Sequence, residues 1–170
     1  MFPLNPGIPA QGITLAELFC KKGMDVDATA VVAKLKAAAA SFNLPMGDRK
    51  MVYDTRLAQE TGLWAQSLGR GHEFHDAAFR AYFVQGLNLA DMDVLQRIIR
   101  TAGLDPEEGA LVIRERRFKK AVDADWALSK EKSITAVPSF LMGLDRLVGA
   151  QPFETLEKMV RRYGARKRSE

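Results

Sequence analysis

The stretch Ile134-Thr135-Ala136-Val137-Pro138-Ser139-Phe140-Leu141-Met142 decides how this chain is read. It is rich in β-branched and aromatic residues and apolar without a helical period, the pattern of a buried strand. Pro138 stands inside it, although proline cannot donate to a sheet ladder. Two explanations fit. One is an edge strand with an ordinary trans proline, the plainer reading from these residues alone. The other is a cis Val137–Pro138 bond at the start of the strand, a form taken by roughly 5–6% of X-Pro bonds. Beyond the strand, Gly143-Leu144-Asp145 reads as a turn into a second short strand, Arg146 to Gly149. Pro152 then opens a last helix with Phe153, Leu156, Met159, Val160 and Tyr163 on one face.

Upstream of residue 133 the apolar spacing is helical. Pro3, Pro6, Gly7, Pro9 and Gly12 make the opening an extended lead-in. Thr14 and Glu17 form a capping box for a short helix over Leu15 to Lys22. A second helix starts near Asp27 and presents Ala28, Val31, Val32, Leu35, Ala38, Ala39 and Phe42 until Pro45 and Gly47 end it. A third carries Leu57, Thr61, Trp64, Ala65 and Leu68. A fourth, with Phe74, Ala78, Ala81, Tyr82, Phe79 and Phe83, is aromatic on more than one side and is expected deep in a bundle. Asp91 caps a fifth with Val94, Leu95, Ile98, Ile99 and Ala102 facing the core. Asp105-Pro106-Glu107-Glu108 opens a sixth, with proline at its first position and acids against the dipole. This element is expected to run to Lys132, with one break allowed, and to turn Leu111, Phe118, Ala121, Val122 and Leu128 inward.

Composition bounds the chemistry. With 170 residues, 47% hydrophobic and 27% charged, the chain suits one globular domain with a sizeable core. Its single cysteine, Cys20, cannot form an intramolecular disulfide, and a cytoplasmic location is expected. No leader pattern and no run of 18 apolar residues is visible, so neither a membrane nor secretion is expected. Lys158, Arg161, Arg162, Arg166, Lys167 and Arg168 against Glu170 give the last 13 residues a net charge of +5, leaving −1 on the other 157. The basic character belongs to a tail.

Catalytic motifs are scarce. His72 and His75, three apart, lack the spacing of the His-Glu-x-x-His zinc motif. With Asp76 they could hold a metal, but they read as polar residues of a first helical turn, so no metal site is assigned. Cys20 has no neighbouring thiol to resolve a mixed disulfide and reads as inert, with a reactive single thiol as the alternative. Phosphate- and dinucleotide-binding loops are absent, as is a nucleophile elbow, and no cofactor is expected. Arg114, Arg116, Arg117, Lys119 and Lys120 are interleaved with acids and read as a solvated helix face; no nucleic acid is expected as partner.

The C-terminal motif Ile134-Thr-Ala-Val-Pro-Ser-Phe140, followed by Leu147-Val-Gly-Ala-Gln-Pro-Phe-Glu154, resembles the hallmark of DsbA-type thioredoxin-fold oxidoreductases, in particular their cytosolic FrnE-like branch. Asp54-Thr-Arg-Leu-Ala-Gln59, Phe74-His-Asp-Ala-Ala-Phe-Arg-Ala-Tyr-Phe83 and Leu89-Ala-Asp-Met-Asp-Val-Leu95 are similar to that branch's helical insertion. Phe2-Pro-Leu-Asn-Pro6 resembles the segment leaving its second strand. The resemblance spans nearly the whole chain. It implies an α/β thioredoxin-like fold of DsbA type over residues 1–170, with a large helical insertion (14–132), a C-terminal hairpin and helix (133–163) and a basic tail (164–170). It also reverses the preference at Pro138, which would be the family's cis-proline.

One departure is large. The family's first strand, its Cys-x-x-Cys and most of its second strand would precede Phe2, and this sequence lacks that β-α-β unit, so mainly helix is expected here. No catalytic residue is assigned, and dithiol exchange is not expected of these residues. Val137 and Pro138 are the expected substrate-binding positions, whose counterparts offer backbone contacts to a peptide or to glutathione. Two alternatives remain. One is a non-catalytic peptide-binding or assembly module of the same fold. The other is a relative of the glutathione-dependent isomerases (2-hydroxychromene-2-carboxylate isomerase) or kappa-class transferases. Loss of the first strand would leave an unpaired apolar edge at 134–142, expected to be covered by a second copy of the chain or by the folded-back lead-in.

Overall fold

The computed structural model describes residues 1–166 and 168; Lys167 and Glu170 of the expected basic tail lie outside the described residues. The chain divides into two compact units: Met1 with Asn5–Ala124, and Phe2–Leu4 with residues 125–170. The division falls inside one helix.

The first unit is helical, apart from one short strand pair that periodicity did not reveal. Strands β1 (Ile13–Thr14) and β2 (Met51–Val52) pair antiparallel, Ile13 opposite Val52. Two residues each are too short for an alternation to register. Helix α1 (Leu15–Lys21) begins with the expected box: the Glu17 N–H donates to Thr14 Oγ1 at 3.1 Å, and the Thr14 N–H donates to Glu17 Oε2 at 2.6 Å. Helix α2 (Ala28–Ser41) is capped by Asp27 but buries no residue fully, and Leu35 and Phe42 are exposed. Its alanine-rich sequence forms the helix by propensity and gives little side-chain bulk to pack.

Helices α3 (Arg56–Ser67), α4 (Gly71–Phe79), α5 (Met92–Thr101) and α6 (Pro106–Arg114) build the main core around Trp64, Phe74, Leu95, Ile99 and Ile113. Burying side chains of this size contributes about 1.5–3 kcal/mol each. The packing is tight at Gly109, where an added Cβ would stand 2.6 Å from Ile99 Cδ1. A smaller cluster gathers Ile8, Ile13, Leu15, Leu18 and Val52.

Expectations about inward faces are corrected in two of these elements. Phe79 is 61% exposed and Phe83 37%: four residues apart, they lie on the face away from the buried Phe74, Ala78, Ala81 and Tyr82, which continues from α4 into a π-helical turn (Arg80–Val84). The sixth element takes the one break allowed for it: α6 stops at Arg114 and a new helix, α7 (Lys119–Glu131), starts after Arg116 at φ +52°. The break resets the helical period, so Ala121 and Leu128 face solvent while Val122 is fully buried and Phe118 packs on the core; Leu111 is exposed because α6 buries Gly109, Val112 and Ile113 instead.

The second unit holds the end of α7, a two-stranded hairpin of β3 (Ser139–Met142) and β4 (Asp145–Val148), and helix α8 (Phe153–Arg162). The expected strand 134–142 is shorter than its apolar run. Its first five residues lie outside the ladder, since Pro138 has no N–H to extend it. In α8 only Met159 is buried; Phe153 and Val160, expected inward, are exposed. Among the described residues no helix is long and apolar enough to cross a membrane.

Candidate functional site

The hairpin's register determines which main-chain groups are free. Met142 and Asp145 flank a two-residue loop, Gly143-Leu144, so they form a hydrogen-bonded pair. Alternation makes Phe140–Leu147 the next such pair and Pro138–Gly149 the one after. The Gly149 N–H does donate to the Pro138 carbonyl at 2.8 Å, which fixes the phase. Within β3, Ser139 and Leu141 therefore turn their N–H and C=O groups away from β4. Among the described residues β3 has no other neighbouring strand.

Val137 and Pro138 sit at the start of this open edge. Their peptide bond is cis, as the family resemblance implied. Val137 is 48% exposed. Pro138 lacks the donor that Gly149 O would otherwise receive within the ladder. The Gln151 side-chain amide reaches toward that carbonyl at 3.5 Å while donating to Val148 O at 2.9 Å. Ser139 Oγ donates to the Ala136 carbonyl at 2.7 Å, fixing the approach to the strand.

An isolated hairpin is marginal in water, so it needs outside support. Tyr163, just past α8, accepts the N–H groups of Leu144 and Asp145 on its hydroxyl at 3.0 and 3.2 Å. Gly143, at φ +54°, permits this: an added Cβ would lie 2.2 Å from the Tyr163 ring. Arg162 pairs with Asp145 at 2.7 Å. The Arg146 guanidinium donates to the carbonyls of Ser133 and Lys132, capping the C-terminal end of α7 with a cation.

Other sequence candidates fall elsewhere. Cys20 is exposed on α1. His72 is exposed at the start of α4, His75 stacks on Phe79 with centroids 6.3 Å apart, and Asp76 is held by Arg80 Nε at 2.9 Å. They behave as helix-surface residues, and no group of three potential metal ligands assembles among the described residues.

The basic cluster at 114–120 is corrected in one respect. Arg116 is not a solvated-face residue: its Nε and a terminal nitrogen grip the buried Glu60 carboxylate at 2.7 and 2.6 Å. Arg56 Nε adds a third bond to Glu60 at 2.7 Å, and Arg56 also reaches the Lys119 carbonyl and Asp123. Burial alone would raise the Glu60 pKa, but the hydrogen bonds from Arg116 and Arg56 outweigh it and hold the carboxyl below its ordinary range. The Arg56–Glu60 spacing of four was visible in sequence; the partner 56 residues away was not.

The order along the chain is thus a set of helices, a strand entered through a cis-proline, a hairpin and a final helix. The sequence matches the family described as DSBA-like thioredoxin domain over residues 1–161. The chain belongs to this family. A crystal structure of a probable DsbA oxidoreductase from Streptomyces coelicolor superposes on 98% of this DsbA-like chain and 75% of its own length, with a TM-score of 0.83 and 27% identity. A second structure, from Nitrosomonas europaea and provisionally described as a protein disulfide isomerase, gives a TM-score of 0.66 at 17% identity over 79% of this chain and 72% of that one, which supports the fold alone. The Bacillus subtilis protein YwbO, itself uncharacterized, is 30% identical over 107 residues. The match takes in 62% of this chain and about half of YwbO, 54%.

Proposed function

We propose that this DsbA-like chain supplies the substrate-holding part of a thiol–disulfide oxidoreductase, binding an extended peptide along Val137–Leu141. The observation that carries the reading is the open edge of β3, with outward donors and acceptors at Ser139 and Leu141 next to the Val137–Pro138 peptide. An extended chain adds to such an edge by main-chain hydrogen bonds and needs no particular side-chain sequence. That suits a protein acting on many unfolded substrates. Glutathione, which also offers a peptide backbone, is the alternative small occupant, and a second copy of the chain is the alternative large one.

The 170 residues contain one cysteine. Exchange of a dithiol requires an attacking and a resolving thiolate, so these residues alone hold a substrate without turning it over. An insulin-reduction assay is expected to show no dithiol turnover; turnover that depends on Cys20 would overturn this.

Binding is tested with a fluorescein-labelled Val/Thr-rich hexapeptide by anisotropy. Leu141→Pro removes an outward N–H and leaves the ladder to β4 intact, a position proline tolerates. Loss of binding in this variant, with an unchanged circular dichroism spectrum, is expected. Undiminished binding would overturn the edge as the site. Sedimentation of the free chain identifies the alternative: a dimer that Leu141→Pro converts to monomer would give the edge to a second copy.

A further inference from the structure

We propose that the peptide held along β3 is one whose N-terminal end is acidic, because the cations at the end of α8 stand beside the hairpin's tip. This rests on the reading of β3 as a peptide edge and names the substrate class that edge takes. The open end of the hairpin is where the Gly149 N–H meets the Pro138 carbonyl, and α8 begins shortly afterwards, at Phe153. It finishes at the opposite end of the hairpin. There the Tyr163 hydroxyl accepts the N–H groups of Leu144 and Asp145, and Arg162 bonds Asp145 at 2.7 Å. The helix therefore runs from the Pro138 end of the edge to its tip, and its charge changes along the way.

Residues 158 to 168 hold six cations and no acid. Two of the cations are engaged, Arg161 with Glu157 and Arg162 with Asp145. Lys158, Arg166 and Arg168 are exposed and have no carboxylate partner among the described residues. At the other end, the first turn of α8 carries Glu154, also exposed. The negative end of the helix dipole offsets only about half a charge, less than any one of these cations. Arg166 follows Tyr163 by three residues, a span of at most about 11 Å. That is comparable with the screening length of about 8–10 Å at physiological salt. A strand added to β3 continues past the tip into this field. Antiparallel addition is the more stable geometry, and it brings the peptide's N-terminal residues to the tip and its C-terminal residues to the Glu154 end. Carboxylates at the N-terminal end meet opposite charge, whereas the same groups at the C-terminal end meet an acid.

Competition against the labelled Val/Thr-rich hexapeptide, read by anisotropy, tests this with three unlabelled extensions of that hexapeptide. One adds Asp-Asp at the N-terminus, one adds Asp-Asp at the C-terminus and one adds Ser-Ser at the N-terminus, all with blocked ends. The N-terminal acids are expected to tighten binding about fivefold over Ser-Ser, the scale of an exposed ion pair. The gain is expected to vanish in about 0.5 M salt, and the C-terminal acids to give none. Arg166→Ala combined with Arg168→Ala is expected to remove the gain while the Ser-Ser peptide binds as before. Equal affinity for the N-terminal Asp-Asp and Ser-Ser peptides overturns the proposal, as does a larger gain from C-terminal acids or a gain that survives the double substitution. Those failures leave the edge standing, since all three peptides still bind and Leu141→Pro still releases them. Failure of every peptide to bind overturns the edge itself, and the charge preference with it.

Discussion

Glu60 in the helical unit and Leu141 in the hairpin lie at opposite extremes in how this chain treats polar groups. The Glu60 side chain is only 3% exposed, yet both its oxygens are bonded by guanidinium groups. Leu141 is 41% exposed, and its main-chain N–H and C=O face outward with no strand to meet them among the described residues. The first arrangement is closed and structural. The second leaves hydrogen-bonding capacity for another chain, and the proposed peptide site rests on that difference.

Breaking the closed side should have the largest effect. Glu60→Ala leaves two arginines facing each other in a partly buried site. Loss of one partner of a buried pair costs about 3–5 kcal/mol, and the value here should sit at the low end because Arg116 keeps 40% of its side chain exposed. Thermal or urea unfolding measures this directly. The same carboxylate sets an acid limit. Its folded pKa is depressed, so its contribution is complete above the unfolded value of about 4.3 and is lost as pH falls through the lower folded value. Glu60→Gln should flatten that acid limb of the stability profile, and an unchanged slope would assign acid sensitivity to other groups.

Perturbing the hairpin should matter less to the whole and more to the edge. Gly143→Ala combines an unfavourable φ of +54° with a clash on the Tyr163 ring, and should cost roughly 1–3 kcal/mol. Tyr163→Phe removes the acceptor for Leu144 and Asp145 and should cost about 1 kcal/mol. Faster amide exchange at Leu144 and Asp145, with the α3–α6 amides unaffected, is the expected signature. The smallest change in stability, within about 0.5 kcal/mol, is expected for Leu141→Pro, since that residue gives no bond to β4. Phe140→Pro, one position earlier, removes an inward bond and should open the hairpin. Equal effects from these two substitutions would show that the phase of the edge is misassigned.

Much of this was legible in the residues. The Thr14–Glu17 box, the Asp91 cap and Asp105-Pro106 mark helix starts with local chemistry, because a cap is satisfied by atoms two or three residues away. The motif around Pro138, through its family resemblance, indicated the fold and the cis Val137–Pro138 bond. Faces were less legible wherever the backbone changed period. The break at Arg116 rotates the downstream residues, and nothing in the spacing of Ala121 or Leu128 announces it, whereas Phe79 and Phe83 lie off the buried face of their own helix.

By itself, then, the sequence determined where helices begin, which motif joins the chain to the DsbA-like family, and that one thiol cannot resolve a mixed disulfide. Only the tertiary structure decided that Arg116 serves Glu60, that Arg49 stacks on Tyr82, and that Ser139 and Leu141 face an open edge. The physical reason is range. Capping and turn chemistry act over a few residues, whereas burial, ion pairing and strand phase depend on groups brought together from tens of residues apart.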